Sequence, residues 1–105
     1  MAGIKKFRNS GAQMAPGYVD CRVLAASTHE AHTIPTGAKF VLITATGNTF
    51  INIGGTATVP AADITDGSSS ILVNGNTPRL FALGVAATIG IIASAIQTVT
   101  LEFYL

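Results

Sequence analysis

The segment His29-Glu30-Ala31-His32 is the densest group of potential metal ligands in the sequence. Its two histidines stand three residues apart, whereas the helical zinc motif places them four apart with a glutamate between them. A single metal ion would need further ligands from elsewhere in the chain or from symmetry-related copies. Because Thr33-Ile34-Pro35 follows and indicates a loop, we expect two exposed loop histidines and no metal site.

A second acidic segment, Asp63-Ile64-Thr65-Asp66-Gly67, has a faint similarity to a calcium-binding loop. The EF-hand loop places its oxygen ligands at alternating positions and ends in a glutamate. Here the two aspartates stand three residues apart and no such glutamate follows. The segment therefore predicts a turn at Asp66-Gly67 and a loop cap at Asp63.

The sequence offers no group of residues typical of an enzyme. Ser68-Ser69-Ser70 lacks a nucleophile-elbow motif, no paired carboxylates stand out, and no glycine-rich phosphate loop precedes a helix. Cys21 is the single cysteine, which excludes an intrachain disulfide, and we expect it to be a small buried apolar residue in a strand. The chain is predicted to be non-enzymatic, with no catalytic residue and no cofactor.

The composition predicts a protein that associates. Charged residues make up 10% of the 105 residues and hydrophobic residues 49%, with a net charge of +1. Ordinary globular chains carry about a quarter charged residues, and a small domain with so little charge tends to associate. We expect one domain whose apolar surface is covered in a homo-oligomer or a larger assembly.

Residues 1–17 are predicted to form a flexible or extended N-terminal arm before a domain at residues 18–105. The arm contains Lys5, Lys6 and Arg8 and no acidic residue, and no apolar run of a secretory signal follows them. It is either a solvated leader or an arm that lies on a neighbouring subunit or another acidic surface, with these three residues as candidate assembly contacts. Three charges are too few for a nucleic-acid footprint, so no nucleic acid is expected.

The C-terminal stretch, residues 98–105, sets the fold class. Val99, Leu101, Phe103 and Leu105 alternate with polar or aromatic residues, which predicts a firmly held strand with one face on a core. Similar runs predict further strands at residues 18–26, 40–46, 49–53, 56–59, 71–73, 79–83 and 88–94, with loops at 27–37 and 61–70. About seven or eight short strands favour an all-β fold, a single antiparallel sandwich or jelly-roll-like barrel.

Three local features carry their own expectations. Gly47-Asn48 between two apolar runs predicts a hairpin of residues 40–46 and 49–53, because primed turns need positive φ. Residues 85–95 are rich enough in Ala and Ile for a buried helix, although Gly90 favours a strand. Residues 80–101 are uncharged and long enough to span a bilayer, but their polar residues and period-two alternation favour a chain with no membrane contact.

Three segments carry a resemblance to a known group of proteins. They are Gly54-Gly55-Thr56-Ala57-Thr58-Val59-Pro60-Ala61-Ala62-Asp63-Ile64-Thr65-Asp66-Gly67, then Pro78-Arg79-Leu80-Phe81, and Thr98-Val99-Thr100-Leu101-Glu102-Phe103-Tyr104. These segments resemble small β-rich structural proteins encoded among the virion genes of tailed bacteriophages. The resemblance leaves the arm and the first strand unmatched and transfers no functional residue.

The resemblance implies a capsid decoration (cement) protein that stabilises the shell by bridging capsomers. Its implied partners are itself, as a homotrimer, and the major capsid protein or another virion protein, in virions assembled in the bacterial cytoplasm. The arm with Lys5, Lys6 and Arg8 is then expected to reach the shell or a neighbour. Two alternatives remain open: a neck or tail component, and a receptor- or glycan-binding β-sandwich.

Overall fold

A computed structural model describes residues 15–105, which form eight strands. The strands are β1 (Tyr18–Leu24), β2 (Glu30–Thr33), β3 (Phe40–Ala45), β4 (Thr49–Ile53), β5 (Ile71–Val73), β6 (Arg79–Ala82), β7 (Thr88–Ile92) and β8 (Gln97–Tyr104). No helix in this part of the chain is long and apolar enough to cross a membrane. The uncharged residues 80–101 belong to β6, β7, β8 and their connections instead.

The strands pair in a nested order. β1 pairs with β8, β2 with β7, β3 with β6 and β4 with β5, and all four pairs are antiparallel. The pairs β3·β8 and β4·β7 join them into sheet A, with the order β1-β8-β3-β6, and sheet B, with the order β2-β7-β4-β5. This is the strand order of an eight-stranded jelly roll built as a two-sheet sandwich. The predicted all-β fold is confirmed.

The core lies between the two sheets and follows from strand alternation. In β3 the inward residues are Val41 and Ile43, and in β8 they are Val99, Leu101 and Phe103, all 0% exposed. Each such side chain contributes about 1.5–3 kcal/mol by leaving water. β8 is bonded on both sides, to β1 and β3, as expected of a firmly held strand. The expectation fails only at its end, since Leu105 is exposed and lies beyond the last paired residue.

The predicted hairpin at Gly47-Asn48 is wrong. β3 belongs to sheet A and β4 to sheet B, so the turn carries the chain from one sheet to the other. Neither residue is among those with positive φ. The glycine serves close packing instead: a Cβ on Gly75, in the β5–β6 turn, would lie 2.7 Å from the Gly47 Cα. The Asn48 Oδ1 also accepts the Gly75 backbone N–H at 3.0 Å.

Two further predictions are corrected, and a third is confirmed. The predicted loop at residues 27–37 contains β2, whose inward residues Glu30 and His32 are polar, so the apolar alternation of a strand is missing. The predicted strand at residues 56–59 is not a strand. It lies on sheet B, where the Asn52 Nδ2 donates to the Thr56 carbonyl at 3.1 Å. Residues 85–95 contain β7, so the predicted strand, which Gly90 favoured over a helix, is confirmed.

Candidate functional site

The polar side chains that meet most closely lie where the edges of the two sheets come together. β1 and β2 are edge strands of sheets A and B, respectively. Asp20 and Arg22 of β1 and Glu30 and His32 of β2 form what we call the edge cluster. Because β1 and β2 belong to different sheets, these contacts join the sheets without any backbone pairing between them.

Hydrogen bonds order the edge cluster into a chain. The Arg22 Nε donates to the His32 Nδ1 at 2.6 Å, and the Arg22 Nη1 donates to the Glu30 Oε1 at 2.6 Å. The His32 Nε2 lies 2.6 Å from the Asp20 Oδ2. An arginine Nε always carries its hydrogen, so the His32 Nδ1 must accept. The neutral ring therefore carries its proton on Nε2 and donates it to Asp20.

His32 is also held by packing. It is 7% exposed, and its ring stacks on the buried Phe103 with centroids 5.9 Å apart and an interplanar angle of 9°. The charged partners are more open: the side chains of Arg22, Glu30 and Asp20 are 32%, 26% and 29% exposed, respectively. A half-solvated ion pair contributes little by itself. Most of the stabilisation should therefore come from the satisfied, buried imidazole.

The edge cluster does not have the arrangement of an acyl-transfer triad. An Asp–His pair is part of the acyl-transfer triad, in which the second ring nitrogen takes a proton from a nucleophile. Here that nitrogen, His32 Nδ1, is occupied by the Arg22 guanidinium. An arginine side chain has no nucleophilic lone pair at ordinary pH. The arrangement instead links the edge strands β1 and β2 through polar side-chain contacts.

The expectation of two exposed loop histidines is wrong. His32 lies in β2 and is buried, and His29 is half-buried just before that strand. The alternation of Asp20 and Arg22 with apolar neighbours along β1 was the available signal. It is misleading because alternation predicts that the apolar side of a strand is buried, whereas Asp20 and Arg22 face inward here. At a sheet edge, paired charges can occupy the inward side and still contact water.

His29 has a separate environment. Its Nε2 is buried and has no hydrogen-bond partner in the described structure. A Cβ on Gly90 would lie 2.8 Å from this nitrogen, so the ring occupies space that the glycine leaves free. Within residues 15–105, no group of three or more His, Cys, Asp or Glu side chains could hold a metal ion.

The acidic segment forms the predicted turn. The Asp66 Oδ1 accepts the Ser68 backbone N–H at 3.0 Å and the Ser68 hydroxyl at 2.6 Å, and Gly67 has φ of 87°. These two bonds, the hydroxyl first, hold the pKa of the Asp66 carboxyl below its usual value. The Ser68 hydroxyl therefore stabilises the turn by donating to Asp66.

The outward side of sheet A carries several exposed apolar side chains, and we call it the open face. Its members are the outward residues of the four strands: Val19, Cys21 and Val23 of β1; Thr98, Thr100, Glu102 and Tyr104 of β8; Phe40, Leu42 and Thr44 of β3; Leu80 and Ala82 of β6. Val19, Val23 and Leu80 are 55%, 67% and 58% exposed. Glu102 is its one charged side chain.

Cys21 belongs to this open face and is exposed, so the expectation that it is buried is wrong. It is the partner of Thr100 across the β1–β8 ladder. The strand assignment was correct but its orientation was not. Leu24, Arg22 and Asp20 face inward, which turns Val19, Cys21 and Val23 outward.

Two cavities lie in the loops. One, of about 420 Å³, is lined by residues 34–39 and 84–87, and the other, of about 400 Å³, by residues of the Asp63–Ser68 segment. Neither lining includes an aromatic side chain. Both lack the stacking surface that the glycan-binding alternative calls for.

The predicted assembly contacts Lys5, Lys6 and Arg8 lie outside the described residues. The structure provides two other candidate functional regions, the open face and the edge cluster, and the sequence patterns located neither of them.

No protein-family model matches the chain, and comparison with curated proteins and with solved structures finds no match.

Proposed function

We propose that this protein is a non-enzymatic structural protein that acts by packing against other copies of itself and against a larger assembly. The open face is the observation that carries this proposal. Exposed Val19, Val23, Phe40 and Leu80 lie on one sheet surface with a single charge, Glu102. Apolar patches of this kind are rare on monomers and mark interaction sites.

The size of the open face suits a specific contact. Four strands at a spacing of about 4.8 Å, each with about six residues at 3.3 Å, cover roughly 20 by 20 Å in projection. Side-chain relief makes the accessible area larger, close to the roughly 600–800 Å² that each partner contributes to a small specific interface. A contact that covers the whole face would therefore reach the size of a small specific interface.

In its specific form, the proposal is a capsid decoration protein of a tailed phage, which bridges capsomers as a homotrimer on the major capsid protein. The support is the resemblance of residues 54–67, 78–81 and 98–104 to virion structural proteins. Jelly rolls are found in viral capsid domains, but also in lectins and cupins. The fold is therefore compatible with the proposal and does not select it.

A head-binding assay tests the proposal. Purified heads that lack the protein are mixed with the wild type, with Leu80→Asp, and with a matched control, Ala31→Asp, at an exposed position of sheet B. We expect binding at a stoichiometry that follows the number of capsomers, lost in Leu80→Asp and kept in the control. No binding by the wild type would contradict decoration, and a stoichiometry of one ring per virion would move the assignment to the neck or tail.

A receptor- or glycan-binding module is the second candidate. The observation in its favour is that Phe40 is 45% exposed on the open face, directly across the β3–β8 ladder from Tyr104. Exposed rings can stack on sugars or contact a receptor. Binding on a glycan array that is lost in Phe40→Ala would support this function over assembly.

A further inference from the structure

We propose that the open face of one copy binds residues 1–14 of a neighbouring copy. This inference rests on the proposed function, because it names what covers the open face in the assembly. The charges of the two parts of the chain, the chemistry of the open face and the length of residues 1–14 support it.

The two parts of the chain have opposite charge. Residues 1–14 contain three basic side chains and no acidic one, a formal charge of +3. Residues 15–105 contain three basic and five acidic side chains, a formal charge of −2. Attraction between the segment of one copy and the domain of the next is therefore built into the sequence.

The open face has the chemistry that this segment would need. Its single charge, Glu102, is bordered along the sheet by Val19 on β1 and Leu42 on β3. The segment Ile4-Lys5-Lys6-Phe7-Arg8 places basic residues beside apolar ones. Apolar side chains that pack on the strands, with a cation close to Glu102, would leave no unpaired charge under the contact.

Direct contact between two open faces fits less well. Glu102 lies on β8, one of the two central strands of sheet A. Packing this face on its twofold copy would bring two carboxylates into one apolar interface with no cation on either face. A basic segment removes this difficulty, and the face itself offers no other charge to do so.

The length of the segment allows it to reach a neighbouring copy. The Gly17 N–H donates to the Phe103 carbonyl at 2.9 Å, and a Cβ on Gly17 would lie 3.2 Å from the Leu105 side chain. The chain thus enters β1 alongside the residue beyond the end of β8. Fourteen residues at about 3.3 Å each can span roughly 46 Å, which is about twice the length of the face.

Cys21 provides a probe within the open face of the full-length protein. The rate of its modification by a maleimide reagent is measured over a range of protein concentrations, with the oligomeric state followed by light scattering. The control is Cys21→Ser combined with Ser69→Cys, which moves the single thiol to an exposed position in the β4–β5 connection. We expect the Cys21 rate to fall at least about fivefold as the protein associates, while the control rate stays constant.

A charge exchange tests the partner. The triple variant Lys5→Glu, Lys6→Glu, Arg8→Glu and the single variant Glu102→Lys should each weaken association by about tenfold or more, because like charges then meet. Asp63→Lys carries the same charge change as Glu102→Lys on an exposed loop residue and should associate like the wild type. A mixture of the triple variant and Glu102→Lys should associate again, since the reversed segment of one fits the reversed face of the other.

The outcomes separate the segment from the proposed function. If Cys21 of the triple variant is still protected from maleimide at high protein concentration, residues 1–14 do not cover the open face. The proposed self-association would stand. If the protein is a monomer in which Cys21 is protected at every concentration, and mixing the variants restores nothing, binding by a neighbouring copy is excluded. The open face would then bind residues 1–14 of the same chain. A monomer with a freely reactive Cys21 at every concentration would overturn both self-association and this inference.

Discussion

The outward sides of the two sheets differ sharply, although both arise from the same strand alternation. On sheet B, the connection between β4 and β5, residues 54–70, packs over the strands: a Cβ on Gly90 would lie 2.3 Å from the Gly55 carbonyl oxygen. Ala57 of that connection is 1% exposed. On sheet A, Val23 and Leu80 are more than half exposed.

The difference shows that a long connection can cover the outward surface of a sheet, whereas short connections leave that surface exposed. Sheet B presents a glycine and the Asn52 amide to its cover, and both suit backbone that lies across strands. Sheet A presents bulky aliphatic residues, and each connection to or from its strands in the described chain crosses to sheet B over six residues or fewer. The outward surface of sheet B is therefore buried within the chain, whereas the open face of sheet A is available to a partner. Five predictions test this contrast.

The largest effect is expected from adding a side chain under the cover of sheet B. Gly90→Val places atoms where the Gly55 carbonyl and the Ala57 N–H lie, at 2.3 and 2.8 Å from the new Cβ. We expect a loss of about 3 kcal/mol in the free energy of unfolding, measured with urea. The control, Ala31→Val, changes the cross-strand partner of Gly90 at an exposed position and should stay within about 0.5 kcal/mol. A fully stable Gly90→Val would show that the connection is not tightly packed.

Removing the imidazole of the edge cluster should come next. His32→Ala leaves Arg22 and Asp20 without their shared partner and removes the ring from Phe103. Because the charged groups can partly rehydrate, we expect a cost of about 2 kcal/mol in thermal or urea unfolding. Glu30→Gln, which keeps the shape and loses only the half-solvated ion pair, should cost less than about 1 kcal/mol. Equal costs would mean that charge, not the buried ring, holds the edges together.

A smaller effect is expected from the polar anchor of the cover. Asn52→Ala removes the bond to the Thr56 carbonyl and should cost about 1 kcal/mol. Hydrogen exchange should rise in residues 54–70 more than in β4 itself, because the bond holds the connection and not the ladder. Uniformly raised exchange over sheet B would contradict that localisation.

On the open face, substitution should change association and not folding. Val23→Lys replaces a 67% exposed residue, so the free energy of unfolding at low protein concentration should change by less than about 0.5 kcal/mol. Light scattering should show weaker self-association than for the wild type. Unfolding that changes strongly while association does not would place Val23 in the core of the fold and contradict the open face.

The smallest effect concerns pH and the turn in the cover of sheet B. The pKa of Asp66 is lowered by its bonds from Ser68, so the folded state holds the proton less tightly than the unfolded state. The resulting stabilisation is present above the usual pKa of 3.8 and is lost as pH falls through the lower folded value. An NMR titration of Ser68→Ala should show the Asp66 pKa rising towards 3.8, and an unchanged Asp66 pKa would contradict the role of the hydroxyl.

Sequence patterns alone predicted the all-β class and most of the strands. Period-two alternation identified β8 and, with small boundary differences, β1, β3, β4, β5, β6 and β7, because a strand with one buried face leaves that signature. It also identified the turn at Asp66-Gly67, whose bonds are local. The low charge predicted association, which remains a prediction.

Only the tertiary structure decided how these strands combine. Gly47-Asn48 crosses between sheets because the partners of β3 and β4 lie far away in sequence, and no local turn signal contains that information. β2 was missed because its inward Glu30 and His32 are satisfied by Arg22 and Asp20 of another sheet. Which side of β1 faces water depended on the same pairing. Alternation states that a strand has two faces, but the neighbouring strands determine which face is buried.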